Sequence, residues 1–226
     1  MGAMRIMLLA ICVPALARAG DVAHPWTRFP VGSYATVKSG TPTKPVTSTT
    51  VLTAVSKDGY ELRWESSYGA ADKPRMEQRR LGEYAPSVDP QGKRVREETL
   101  TIDGRKLACA VWEWSGVSNG QQVTTREWRA PGIMVPVKWT QEAVFYGQKL
   151  GVELTAVKLE EPITVAGKSW KTVRMEGKTT VGVGSAIPII RWATFEVPGG
   201  YVKEIRMKDG KEYSSTTLEA FGTGKP

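Results

Sequence analysis

The stretch EETLTIDGRKLACAVWEW, residues 97–114, contains the signal that decides the fold class. Its centre is Asp103-Gly104, a dipeptide that favours a two-residue hairpin turn because both residues tolerate a positive φ. Runs of β-branched, apolar and aromatic residues lie on both sides of this turn, and such runs are typical of strands. The stretch therefore predicts two antiparallel strands, at 97–102 and 106–114.

The same pattern continues over most of the chain. Short apolar runs alternate with Gly, Pro, Asn and Asp, and Asp58-Gly59 and Asp209-Gly210 repeat the turn dipeptide. Beyond the N-terminal segment, no run of apolar residues follows a helical period of 3.6 residues. The pattern predicts further strands at 33–38, 49–56, 60–66, 75–81, 122–129, 134–140, 149–159, 169–176, 189–196, 201–208 and 212–220. We expect an all-β fold, an antiparallel meander that forms a curved sheet or half-barrel, with a β-sandwich as the alternative.

The N-terminus has the features of a signal peptide. Arg5 precedes an apolar run at 6–17, and Ala17-Arg18-Ala19 has the small-x-small pattern of a cleavage site. The run is shorter than the roughly 20 apolar residues of a membrane span. We predict a signal helix over 1–19, cleaved after Ala19, and a periplasmic or secreted protein. Lipidation at Cys12 is the weaker alternative, because the residue before a lipidated Cys should be small and Ile11 is not.

The segment 20–45 reads as an extended leader rich in Pro and aromatic residues, and 46–226 as one all-β domain. In the leader, Trp26 and Phe29 are expected to pack on one end of the sheet, since large apolar groups are seldom exposed in a soluble monomer. A recognition segment in an extended conformation is the alternative reading.

Composition narrows the chemistry that the chain can perform. The 226 residues include one His and two Cys, which excludes a disulfide-rich scaffold and most His-based metal and catalytic sites. Four of the six Asp residues occupy turn positions, before Gly at 58, 103 and 209 and before Pro at 89. Cleavage of the signal peptide removes Cys12 and leaves Cys109 as the only thiol, and we expect it to be buried and inert. We therefore predict no catalytic residue, no metal site and no cofactor.

An internal echo recurs with a period of 63 to 65 residues, and it predicts a duplication over 97–160 and 161–221. The copies share a Thr-aliphatic strand, a Gly turn, a Trp strand, a Pro/Gly break and a Val-Lys strand. The matched segments are 101–105 with 164–168, Trp128 with Trp192, and Val137-Lys138 with Val202-Lys203.

The order of these motifs carries a family resemblance. Glu-x-x-Thr-aliphatic-x-Gly precedes a strand with Cys or Trp, and Trp-Arg-Ala-Pro-Gly at 128–132 precedes Pro-Val-Lys at 136–138. Over residues 97–221, about half of the chain, this order resembles uncharacterised exported bacterial β-proteins, which are similar in outline to the half-barrels of Lol-type lipoprotein carriers. The resemblance implies a curved antiparallel sheet with an apolar concave face, and lipid handling.

The predicted strand 106–114 is apolar on both faces. One face carries Leu107, Cys109 and Val111, and the other carries Ala108, Ala110, Trp112 and Trp114. Either both faces belong to the core of a two-layer sandwich or closed barrel, or one face lines a cavity for an apolar ligand. In the second case, the candidate lining residues are Trp112, Trp114, Met134 and Trp139.

Charge and aromatic content bear on the choice of partner. Cleavage of the signal peptide removes Arg5 and Arg18 and lowers the formal charge from +8 to +6. This positive charge favours peripheral contact with an anionic envelope surface. Nucleic acid is not expected, because the cations in Arg63-Trp64 and Lys138-Trp139 point away from the face of the neighbouring ring. The oligomeric state stays open.

The sequence thus predicts an exported, non-enzymatic binding protein for an apolar or lipid-like envelope ligand or for a cell-surface partner. One alternative is a structural or assembly protein of the cell envelope that acts through oligomerisation. A second alternative is a carboxylate-dependent hydrolase, although no spacing of Asp or Glu points to a catalytic pair.

Overall fold

A computed structural model describes residues 25–41, 43–56, 59–68, 92–118, 121–145, 148–181 and 185–224. These residues form a short 3₁₀ helix, Pro25–Arg28, and twelve strands. The strands are β1 (Ser33–Thr41), β2 (Lys44–Ser56), β3 (Gly59–Tyr68), β4 (Lys93–Ile102), β5 (Arg105–Ser118), β6 (Gln121–Arg129), β7 (Lys138–Phe145), β8 (Gln148–Val165), β9 (Lys168–Val181), β10 (Ser185–Ala193), β11 (Tyr201–Lys208) and β12 (Lys211–Thr223). The predicted signal helix at 1–19, the predicted strand at 75–81, and Asp58 and Asp89 lie outside the described residues.

All twelve strands belong to one antiparallel sheet, in the order β3-β2-β1-β12-β11-β10-β9-β8-β7-β6-β5-β4. Strands β1 to β3 and strands β4 to β12 each pair with their neighbours in sequence, β3 and β4 do not pair with each other, and β1 pairs with β12, Tyr34 opposite Gly222. Within the described part of the chain, β3 and β4 are the two edges, and the sheet is not closed. The predicted all-β antiparallel meander is confirmed.

Three hairpin turns have a positive φ at both of their central residues. Asp103 and Gly104 have φ values of 51° and 73°, and Asp209 and Gly210 have 52° and 72°. The matching turn of the second copy has Ala166 at 52° and Gly167 at 71°, so a residue with a Cβ other than Asp also adopts the left-handed conformation. Positive φ at both central residues defines the turn that suits the twist of antiparallel strands.

Two predicted strands include loop residues at one end, and several others are longer than predicted, as in β8, which ends at Val165 rather than at 159. The strand predicted at 134–140 begins at Lys138, and residues 130–137 form a loop that starts at Pro131-Gly132, where Gly132 has a φ of 77°. Similarly, β10 ends at Ala193 rather than at 196, since a turn with Gly199 and Gly200 at positive φ follows it. In both cases the predicted strand includes apolar loop residues, because a short apolar run does not show where strand pairing stops.

The long strands change their buried face part of the way along. In β8, Val152, Leu154 and Ala156 are buried first, and after the register shifts at 156–161 the buried positions are Leu159 and Val165. A bulge adds a residue to one strand and reverses the alternation of side chains. In β5, Cys109 and Val111 are buried on one face and Trp114 on the other. This change of face accounts for the apolar residues that the sequence places on both sides of a strand.

The buried side chains form two cores. The first core lies among β4 to β10 and the loop 130–137, and it includes Cys109, Trp128, Val137, Leu154 and Ile189. The second core includes Trp26, Leu52, Trp170, Val202 and Leu218. Trp26 is thus buried against the sheet, as expected for the leader, and Phe29 is half-buried.

The motifs of the echo make equivalent contacts in the two copies. The indole Nε1 of Trp128 donates a hydrogen bond to Glu98 Oε2 at 2.9 Å, and Trp192 Nε1 donates one to Glu161 Oε1 at 2.8 Å. We call each Glu–Trp pair a clasp. Both Glu residues are the first residue of the Glu-x-x-Thr-aliphatic-x-Gly motif. That motif therefore supplies the acceptor for a tryptophan two strands away.

A lysine from the next strand covers each clasp tryptophan. Lys138 Nζ lies 4.9 Å from the centre of the Trp128 ring, and Lys203 Nζ lies 5.7 Å from that of Trp192. An ammonium over an indole face is attracted by the ring quadrupole. The Val-Lys strand of the echo thus completes a Glu–Trp–Lys arrangement, which is a structural role for the motif.

Candidate functional site

Three of the four predicted lining residues share one face of the sheet. The register places Trp112 of β5 opposite Glu127 of β6, and Glu127 opposite Trp139 of β7. Trp114 has the same orientation as Trp112, two residues along β5. We call the surface formed by Trp112, Trp114, Glu127, Arg129 and Trp139 the aromatic face.

The fourth predicted residue, Met134, lies elsewhere. It is part of the loop 130–137 and is 50% exposed. Its Sδ lies 3.5 Å from Arg28 Nη1. The sequence groups Met134 with the tryptophans because it predicts a strand at 134–140. In the structure Met134 lies in a loop, away from the strand rows of the aromatic face.

Arg129 organises the aromatic face. Its guanidinium carbon lies 5.0 Å from the centre of the Trp114 ring and 5.7 Å from that of the Trp112 ring. The two rings stack, with centres 6.5 Å apart and planes inclined by 26°. Arg129 also donates hydrogen bonds to Glu127 Oε2 from Nε at 3.0 Å and from Nη2 at 2.8 Å. The carboxylate of Glu127 neutralises the charge of Arg129 and holds the guanidinium beside the two rings.

A buried polar row lies next to the aromatic rings. The register aligns Trp114 with Thr125, and Thr125 with Gln141. Gln141 Nε2 donates a hydrogen bond to Thr125 Oγ1 at 3.2 Å. The indole Nε1 of Trp114 and the Oε1 of Gln141 are buried and have no hydrogen-bond partner among the described residues. Buried polar atoms without a partner are uncommon in folded proteins, because each one loses its hydrogen bonds to water and gains none within the protein.

Sequence reasoning missed Thr125 and Gln141. Neither residue belongs to a motif, and only the pairing of β5, β6 and β7 brings them beside Trp114. The backbone of Gly92 also approaches the Trp114 ring so closely that a Cβ there would lie 2.3 Å from Trp114 Nε1. Gly92 therefore packs against the indole as no larger residue could.

Trp139 connects the aromatic face to a network of ion pairs around the buried Glu204. Its ring centre lies 5.8 Å from the guanidinium carbon of Arg191. Arg191 donates two hydrogen bonds to Glu204 Oε2, and Arg206 Nε donates one to Glu204 Oε1 at 3.1 Å. Burial alone would raise the pKa of Glu204, but the charges of Arg191 and Arg206 outweigh it and hold that pKa below its ordinary value.

Cys109 and the turn residues Asp103 and Asp209 have structural surroundings in the described part of the chain. Cys109 is free and buried, as predicted, and burial raises the pKa of its thiol. A thiol with a raised pKa is mostly protonated and is a poor nucleophile. Asp103 and Asp209 are in hairpin turns, and Asp103 Oδ1 accepts a hydrogen bond from Lys158 Nζ at 2.7 Å.

The described residues can also be compared with what a metal site and a membrane-spanning helix require. Among the described ranges, no group of three or more His, Cys, Asp and Glu residues could hold a metal ion. No helix among those residues is long and apolar enough to span a membrane. The arrangement that the structure does present, aromatic rings beside a self-neutralised ion pair and orphaned polar atoms, suits non-covalent binding of a ligand with an apolar body and a few polar groups.

Comparisons with family models, with curated proteins and with solved structures found no match to this chain. The resemblance to Lol-type carriers therefore rests on the order of motifs within the sequence, and it stays a prediction.

Proposed function

We propose that this protein is an exported, non-enzymatic binding protein that holds an apolar or lipid-like ligand of the cell envelope on its aromatic face. The observation that carries the proposal is the shared orientation of Trp112, Trp114 and Trp139 beside a paired Arg129 and Glu127. Aromatic walls with a few fixed polar groups are the usual lining of small-molecule sites.

The finer shape that we propose is a half-barrel with this face on its concave side. Gly177 lies opposite Leu154, and Leu154 lies opposite Trp139, so these positions share the orientation of the aromatic face. A Cβ at Gly177 would lie 1.7 Å from the carbonyl oxygen of Glu153, so the backbones of β8 and β9 approach closely on that side. A glycine in the interior of a strand often marks a tight bend or a close approach of another backbone, which supports a concavity there.

The proposal is tested by the ligand content of the protein and by the half-buried Trp112. Protein purified from an exporting host is analysed by native mass spectrometry and organic extraction, and binding of the apolar dye N-phenylnaphthylamine is titrated by fluorescence. We expect co-purified lipid, and about tenfold weaker dye binding in Trp112→Ala, equivalent to about 1.4 kcal/mol. Trp64→Ala is the matched control, since Trp64 is also half-buried but lies in β3 at the far edge of the sheet.

Two results contradict this function. One is a protein of the bare chain mass with nothing extracted and no dye bound. The other is an equal effect of Trp112→Ala and Trp64→Ala, which indicates a general loss of structure. The same preparation tests export, because Edman sequencing of exported material should start at Gly20 if Ala19 precedes the cleavage site.

A structural or assembly role through oligomerisation is the second candidate, and the open sheet favours it. Among the described strands, β3 and β4 each have one side without a pairing partner. Unpaired strand edges can pair with another chain. The first half of β4 is rich in exposed charges, including Lys93, Arg94 and Glu97, which restrains such pairing. Light scattering over a hundredfold range of concentration separates the two candidates, since assembly requires a mass that rises with concentration.

A further inference from the structure

The antiparallel order of the sheet brings three connecting segments to one end. In the order β1-β12-β11-β10-β9-β8-β7, the strands β1, β11 and β7 are separated by even steps and so run in the same direction. The segments that lead into them are 29–32, 194–200 and 130–137. We call the end of the sheet where these segments lie the basal end.

Side chains from these segments meet around Arg28. Its Nη1 lies 3.5 Å from Met134 Sδ, and its guanidinium carbon lies 5.3 Å from the centre of the Phe195 ring. Met134 is 50% exposed, and Val31, three residues after Arg28, is 54% exposed. We call Arg28, Val31, Met134 and Phe195 the basal patch. It combines the two most exposed large apolar side chains of the described residues with a cation.

The cation of the basal patch has its charge available. The ion pairs of the described residues do not include Arg28, whose contacts are a sulfur and an aromatic ring. The Arg and Lys of other segments at this end are different, since Lys158 is paired with Asp103 and Lys168 lies 4.0 Å from Glu196. An exposed cation between exposed apolar side chains suits a partner that offers both negative charge and an apolar interior.

We propose that the basal patch docks the protein on an anionic lipid surface, with Val31 and Met134 entering the boundary between head groups and acyl chains and Arg28 at the level of the phosphates. The formal charge is +6 once Arg5 and Arg18 are removed with the predicted signal peptide, and it supports this choice of partner because it attracts the whole molecule to a negative surface before the apolar groups insert. A bilayer also requires no matching shape, which fits a patch built from loops. This inference is independent of the ligand proposed for the aromatic face.

Vesicle co-sedimentation tests the inference. The full exported chain is mixed with vesicles of phosphatidylglycerol and phosphatidylcholine, and with vesicles of phosphatidylcholine alone. We expect binding to the anionic vesicles that weakens as salt rises. The double variant V31S/M134S should bind about tenfold more weakly, because it removes the inserted apolar groups. Arg28→Gln should bind about fivefold more weakly and with a smaller salt dependence.

The matched control is Val144→Ser. Val144 is 47% exposed, and it lies near the end of β7 opposite to the one where the loop 130–137 enters. Circular dichroism of each variant shows whether the fold is retained, as expected for changes at half-exposed positions. The inference is overturned if the native chain does not bind anionic vesicles at low salt, or if V31S/M134S binds them as well as Val144→Ser does. Failure here leaves lipid extraction and dye binding at the aromatic face unchanged, so the two proposals are separable.

Discussion

Removal of the acceptor from the first clasp is the most direct test of how the repeated motif stabilises the sheet. Glu98→Ala leaves the indole N–H of the buried Trp128 without its partner. The hydrogen bond from Trp128, followed by that from Arg96, holds the pKa of Glu98 below its ordinary value, so the acceptor is ionised at neutral pH. A buried donor that loses its acceptor destabilises a protein by about 1–3 kcal/mol.

The expected magnitude lies toward the lower end of that range. The Glu98 side chain is 35% exposed, so water can enter the space that it leaves and hydrate part of the indole N–H. We therefore expect Glu98→Ala to lower the free energy of unfolding by about 1–2 kcal/mol. Glu98→Gln keeps an acceptor and loses only the exposed ion pair with Arg96, which is worth about 0–1 kcal/mol. The second-copy variant Glu161→Ala should lose less than Glu98→Ala, because Trp192 is only half-buried.

Urea unfolding followed by tryptophan fluorescence and by circular dichroism gives these free energies. Glu97→Ala is the matched control in the same strand, since the Glu97 side chain is 76% exposed and contacts only Arg94 in an ion pair. It should change the free energy by no more than about 0.5 kcal/mol. The reasoning is refuted if Glu98→Ala behaves like Glu97→Ala, or if Glu98→Gln is as damaging as Glu98→Ala.

Two further predictions concern the buried ion network and a hairpin turn. Glu204→Gln should lower the free energy of unfolding at neutral pH by about 2–3 kcal/mol, because it removes the buried carboxylate that pairs with the half-buried Arg191 and Arg206. Because the folded-state pKa of Glu204 is depressed, its contribution is complete above the ordinary glutamate pKa of about 4.3 and is lost as the pH falls through the folded value. The difference between the native chain and this variant, measured by urea unfolding, should thus shrink below about pH 4 and stay constant from about pH 6 to 8; a constant difference at all pH values would contradict the assignment. Ala166→Asn should raise the free energy of unfolding by about 0.5–1 kcal/mol, since Ala166 has a φ of 52° and Asn tolerates this conformation better than Ala. The converse change Asp209→Ala, at a turn with the same backbone, should lower it, and thermal unfolding that shows the opposite signs would contradict the turn argument.

Most of the strands could be located from local patterns, and the failures share one cause. Asp103-Gly104 and Asp209-Gly210 mark turns because their residues tolerate a positive φ, which is a property of a few neighbouring atoms. Met134 lies in a loop rather than in the predicted strand, because an apolar residue in a loop and one in a strand look alike in sequence. What distinguishes them is whether another strand pairs with that backbone, and pairing depends on residues far away in the chain.

The candidate site was only partly visible for a related reason. Alternation along β5 places Trp112 and Trp114 on one face, which follows from the strand period of two. The partners Arg129, Thr125 and Gln141 became evident only from the register of β5, β6 and β7. Thr125 and Gln141 belong to no motif, and the motif that contains Arg129 does not show which rings it contacts, since a cross-strand neighbour has no fixed distance along the chain.

The strand-and-turn alternation, the burial of Cys109 and the repeated order of Glu, Trp and Lys follow from local sequence, because each depends on side-chain type and on spacings within a strand or hairpin. Three other features emerge only in the folded sheet. They are the pairing of β1 with β12, the change of buried face in β8, and the contacts that bring Arg28, Met134 and Phe195 together at one end. These features depend on contacts between residues that are distant in the chain, and the free energy of such contacts comes from surfaces that fit together only after the sheet has formed.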